Sequence, residues 1–168
     1  KTFEAPLLTP KIAQGFTTEL IGPAGQAPAP VDPARWTERR DYLRGLEGSG
    51  PDEWEWSTFD EYLDWLEKTQ PALTLVPSIG HNSVRARVME GARRGPTVEE
   101  LAQMRQEVRL GLEAGARTLS FGLIYLPGTY ALTDELVALA EEAAAFNAPL
   151  VPHIRNEGLG VLNALGEM

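Results

Sequence analysis

Leu150-Val151-Pro152-His153-Ile154-Arg155-Asn156-Glu157 is the stretch on which the fold reading turns. A short apolar run delivers a histidine, followed at once by an arginine, an amide and a carboxylate. The chain has only two histidines. A buried strand that turns polar at its C-terminal end is the pattern of a parallel α/β protein, where ligands and catalytic groups sit at that end.

Upstream, the same transition recurs. Phe16 to Ile21 predicts a strand, and Gly22-Pro23-Ala24-Gly25-Gln26-Ala27-Pro28-Ala29-Pro30 breaks regular structure into a loop expected to have an exposed backbone. Leu73 to Gly80 predicts the second strand, opening into His81-Asn82-Ser83-Val84-Arg85. Its interior Pro77 lacks an N–H, which a bulge near the strand end would reconcile. Thr118 to Leu123 predicts the third, opening into Ile124 to Tyr130, and Leu150 to Ile154 the fourth.

Helices fall between them. Thr9 to Gly15, Asp32 to Leu46, a helix opened by the Thr58/Glu61 capping box, a long one opened by Thr97/Glu100 and one from Thr133 carry helical signals. Apolar faces read as Phe59, Tyr62, Leu63 and Leu66, then Leu101, Met104, Val108 and Leu112, then Leu136, Ala140, Ala143 and Phe146. Trp54, Trp56 and Trp65 read as packing residues. Gly48-Ser49-Gly50-Pro51 is a turn, and a last helix starts in Leu159 to Met168.

Strands alternating with helical crossovers predict a parallel sheet. The fold class is therefore α/β: parallel (β/α) units making part of a (β/α)₈ barrel. A flavodoxin-like open sheet is the alternative. Lys1 is not a methionine and the last residues read as a helix stopped in mid-course, so residues 1–168 are expected to be an internal piece of a larger domain. A half barrel leaves two edge strands, which predicts a homo-oligomer or a longer chain that covers them.

Composition narrows the function. The formal net charge of −9 argues against a nucleic-acid partner. No run of eighteen apolar residues is present and Lys1-Thr2-Phe3-Glu4 opens no leader, so no membrane partner and a cytoplasmic location are expected. Without cysteine, disulfides and thiolate metal sites are excluded.

In a barrel the four loops after the strands converge on one mouth. His153 could ligate a metal through its ring, or be a buried histidine satisfied by a carbonyl; position alone leaves both open. His81 and Arg85 could bind an anionic substrate group, or be a cap and a solvent-face arginine. Arg155 and Glu157 could orient His153 or form a surface ion pair. Tyr125 could assist a carbonyl oxygen, or pack its ring and turn its hydroxyl to solvent.

Read together, Gln14 to Glu19, Ile79 to Arg85, Leu119 to Gly128 and His153 to Glu157 resemble the N-acyl-D-amino-acid deacylases (D-aminoacylases) of the amidohydrolase superfamily. The resemblance implies the second to fifth strands of a metal-dependent barrel that cleaves the amide of small-molecule N-acyl-D-amino acids. It implies zinc, one or two ions in the intact enzyme, with His153 as a ligand. Arg85, Arg155 and His81 become candidates for substrate binding, as does Tyr125, which could also assist the carbonyl. The family's H-x-H pair, a further histidine and the general-base aspartate would lie outside this chain. One departure matters: Ala24 stands where many members carry a ligating cysteine. Phe121, Leu126 and Pro152 also depart from the usual pattern. The missing thiolate keeps a second class open, a catalytically silent amidohydrolase-like domain serving binding or assembly. A third is an oligosaccharide-binding module using the tryptophans.

Overall fold

The computed structural model describes residues 7–48 and 50–168. The opening Lys1-Thr2-Phe3-Glu4 and Ser49 of the predicted turn lie outside these. The element order is α1 (Thr9–Ile12), β1 (Thr18–Ile21), α2 (Trp36–Glu47), α3 (Phe59–Lys68), β2 (Thr74–Gly80), α4 (His81–Met89), α5 (Val98–Ala114), β3 (Thr118–Gly122), a 3₁₀ turn (Gly128–Tyr130), α6 (Thr133–Ala145), β4 (Leu150–His153) and α7 (Val161–Gly166). The strands form one parallel sheet in the order β1-β2-β3-β4. Sequential order is what a barrel requires; a flavodoxin-like sheet needs its first two strands exchanged. The sheet is a curled half-barrel with helices between its strands.

Pro77 is accommodated by a change of partner. β2 pairs with β1 from Thr74 to Pro77, then with β3 from Ser78 to Gly80. At the handover the Pro77 carbonyl accepts from Arg117 N at 2.8 Å.

Register decides which side chains face inward. Ser120 aligns with Val151, and Gly122 with His153. Alternation then puts His153 on the Ser120 face and Leu119 and Phe121 on the other. The second face is the apolar core. Ile79, Leu119 and Phe121 are fully buried with Met104 and Val108 of α5 and Leu139 of α6. Gly111 lets α5 close on the sheet, since a Cβ there would lie 2.8 Å from the Ile79 side chain. Both predicted capping boxes are formed, at Thr58/Glu61 and Thr97/Glu100. Trp54 and Trp56 stack at 4.9 Å between centroids and are buried, as packing residues.

The loop after β1 corrects the sequence reading: its backbone is not exposed. Gly22 and Gly25 to Val31 are buried. The face that Ser78, Thr118 and Ser120 present is polar and small, and the loop fills the space above it. Ser120 Oγ donates to Gly22 O at 2.6 Å and accepts from Gly25 N at 3.1 Å. Ser83 Oγ donates to Ala27 O at 2.8 Å, so glycine and alanine backbone of the loop is satisfied by side chains. The α6 face also differs: Leu139 is buried, whereas Phe146 is exposed. No helix among the described residues is long and apolar enough to cross a membrane.

Candidate metal centre at the C-terminal end of the sheet

His153 closes β4, its ring on the inner face by register. It lines a hollow with Pro23, Ala24, Val151, Pro152, Ile154 and Glu157. Tyr125, in the loop after β3, packs edge-on against its ring at 4.8 Å between centroids. This loop is held locally, because Tyr125 N and Leu123 N donate to Gly122 O and His153 O at 3.2 and 3.0 Å.

The His153 Nε2 atom is buried and has no hydrogen-bond partner. Glu157 Oε1 lies 3.0 Å from it, but out of line for a hydrogen bond. A buried ring nitrogen left without a partner costs free energy unless something else occupies its lone pair. Imidazole and carboxylate together suit a divalent ion. Among the described residues no group of three His, Cys, Asp or Glu side chains comes together, so these residues supply part of a ligand set at most.

The other predicted mouth residues are placed elsewhere. His81 and Arg85 do not form a loop; they lie in the first turns of α4, beneath the mouth, with no solvent exposure. This corrects both readings of Arg85, the substrate clamp and the solvent-face arginine. Its Nη1 meets Glu135 Oε2 of α6 at 2.5 Å, and its Nη2 donates to Arg94 O at 2.6 Å. His81 Nε2 meets the other oxygen of Glu135 at 2.7 Å, and its Nδ1 faces Asn82 Oδ1 at 3.1 Å. Burial alone would raise the Glu135 carboxyl, but the pairing with His81 and Arg85 outweighs it and holds the group below its ordinary value.

Arg155 is likewise engaged. It donates to Thr129 O at 2.9 Å and Ala131 O at 3.0 Å, and pairs with Glu167 at 2.8 Å. The surface-pair reading named the wrong carboxylate: Arg155 pairs with Glu167, while Glu157 sits beside His153. The structure thus brings together His153, Tyr125, Glu157 and Ala24, and leaves His81, Arg85 and Arg155 as bracing. Glu135 was missed by sequence reading. Its signal was a carboxylate flanking Leu136 and Leu139 on the buried stripe of α6.

No protein-family model matches the chain. It is similar to the D-aminoacylase of Alcaligenes xylosoxydans xylosoxydans, 34% identical over 160 residues, which is 95% of this chain and 32% of that protein. The N-acyl-D-aspartate deacylase of the same organism is 32% identical over 96% of this chain and 32% of its own length. Among solved structures, a D-aminoacylase with a binuclear metal centre superposes with a TM-score of 0.86 at 29% identity, covering 99% of this chain and 34% of that one. Over nearly its whole length the chain is similar to D-aminoacylases. It spans about a third of the length of the relatives it matches. Another such structure, the N-acyl-D-glutamate deacylase of Bordetella bronchiseptica in complex with zinc and a phosphonate inhibitor, has a TM-score of 0.83 at 30% identity, covering 99% of this chain and 34% of its own. In this chain Ala24 lines the same hollow as His153 and presents a methyl group there.

Proposed function

We propose that residues 1–168 are part of the catalytic barrel domain of a metal-dependent hydrolase that cleaves the amide bond of N-acyl-D-amino acids. The observation that carries this reading is the His153 Nε2 atom at the end of β4, buried without a hydrogen bond and with the Glu157 carboxylate 3.0 Å away. His153 would hold a divalent ion, zinc by analogy with the relative solved with that metal. When bound, such an ion polarises the scissile carbonyl and lowers the pKa of a coordinated water. Tyr125 is 42% exposed and packed on His153, which supports a role in which its phenol would assist the substrate carbonyl oxygen. Its ring also fixes the imidazole plane, as edge-on aromatic contacts do. Glu157 lies close enough to Nε2 to share the ion or to orient the ring. Remaining ligands and the proton shuttle would come from the rest of the enzyme.

The test is metal and activity analysis of the full-length protein against N-acetyl-D-amino acids. Bound zinc and amide hydrolysis, both lost in His153→Ala with the fold retained, support the reading. A folded full-length protein that holds no metal and hydrolyses none of them sinks it.

Ala24 favours a second reading, a catalytically silent domain of the same fold used for binding or assembly. The methyl group removes one donor from the hollow. Metal binding without hydrolysis across the substrate series is the outcome that reading expects.

A further inference from the structure

Asn82 occupies the point where three chain segments of the site meet. It is fully buried in the first turn of α4. Its Nδ2 donates to Gly122 O at 3.0 Å, at the end of β3. Gly122 is the ladder partner of His153, and its carbonyl also accepts from Tyr125 N at 3.2 Å. The backbone N–H of Asn82 donates to Gly25 O at 3.0 Å, in the turn that carries Ala24.

Glycines line every approach. A Cβ on Gly25 would lie 3.0 Å from Asn82 Oδ1, and one on Gly128 would lie 2.3 Å from it. A Cβ on Gly122 would lie 1.9 Å from Ala24 O and 3.2 Å from Asn82 Nδ2. Three backbones have therefore closed around one side-chain amide with no room for a methyl group. The amide orientation is defined by its partners, since Nδ2 must donate to a carbonyl and Oδ1 then faces His81 Nδ1 at 3.1 Å.

We propose that Asn82 is a positioning residue for the site. It sets the turn bearing Ala24 and the loop bearing Tyr125 at a fixed separation from His153, acting through Gly122. This builds on the functional reading above only in calling the hollow a metal site; the geometric claim concerns the chain alone. Aspartate has the same shape but no donor, and would set a carboxylate against the Gly122 carbonyl. Alanine removes the amide altogether. Residues that fix metal ligands from behind commonly change metal affinity about 10–100-fold when altered.

The experiment compares Asn82→Asp, Asn82→Ala and Ser83→Ala in the full-length protein without metal. Ser83 is as buried as Asn82 but bonds to the Ala27 backbone and Arg39, away from Gly122. The primary readout is the NMR signal of the His153 ring, assigned by its absence in His153→Ala and displaced by the edge-on Tyr125 ring. Zinc affinity is the second. Both Asn82 variants should lose the Tyr125-induced displacement and bind zinc at least about tenfold more weakly, with Ser83→Ala keeping both. A His153 signal that stays at the parent's position in the Asn82 variants overturns the proposal, as does an equal change in Ser83→Ala. So does failure of both Asn82 variants to fold, which would make Asn82 a residue of the core alone. A parent protein that binds no zinc defeats the functional reading, while the NMR comparison still decides the positioning role.

Discussion

Arg85 of α4 and Glu135 of α6 form an ion pair at 2.5 Å, with side chains 0% and 1% exposed. Such a pair has given up its hydration, and its partners depend on one another. Removing Arg85 leaves the buried Glu135 carboxylate with His81 alone, a loss of about 3–5 kcal/mol. Arg85→Met is expected to destabilise the protein by about that amount in urea denaturation, with zinc per folded molecule unchanged. Unaltered stability together with a raised KM would return Arg85 to the role of substrate clamp.

The hollow shared by Ala24 and His153 leads to a gain-of-ligand prediction. Ala24→Cys places a thiol beside the imidazole, on backbone already at φ 55° for a residue with a Cβ. In the full-length protein the variant should show a sulfur-to-cobalt charge-transfer band when loaded with Co²⁺. Absence of that band would mean that position 24 lies too far from the ion to supply a donor.

Stability should fall in acid, and the sign follows from the carboxylates. The Glu135 and Glu142 carboxyls are held below their ordinary values; burial opposes this, and His81 with Arg85, or Arg109 with Arg105, outweighs it. Glu167 is lowered by Arg155, and Glu100 is lowered to about 2, first by Arg94 and then by the Thr97 backbone. A depressed folded value means stability that is fully present above the ordinary carboxylate range. It is lost as the pH falls through the folded values. Thermal melts should therefore hold steady from pH 7 to about 5 and drop below about 4. Glu142→Gln should reduce that drop, and an unchanged acid limb would remove Glu142 from the cause.

The sheet ends at β1 and β4, and these strands differ from the centre. Every residue of β3 is buried, whereas β1 and β4 alternate exposed and half-buried positions, with Leu20 and Leu150 left 37% and 39% exposed. Unpaired N–H and C=O groups beside exposed leucines invite pairing with another chain. The 168-residue chain on its own should self-associate with rising concentration in light scattering. A monomer at high concentration would show that both edges are protected.

The alternation of strands and helices, the two capping boxes and the polar turn after β4 were legible because they are local. Periodicity and caps act over one to four residues, so each element carries its own signal. His153 was legible for the same reason, as the residue on which an apolar run ends. What the barrel interior contains was decided by tertiary structure alone. A loop of prolines and glycines between Gly22 and Val31 looks solvated until Ser120 and Ser83, both far along the chain, are brought up to satisfy its backbone. Arg85 and His81 looked like mouth residues until Glu135, fifty or more positions away, closed on both. A charged side chain takes the partner that folding places beside it, and no spacing within the chain states which partner that is. The mouth narrowed accordingly from four converging loops to the imidazole of His153, the ring of Tyr125, the carboxylate of Glu157 and the methyl of Ala24.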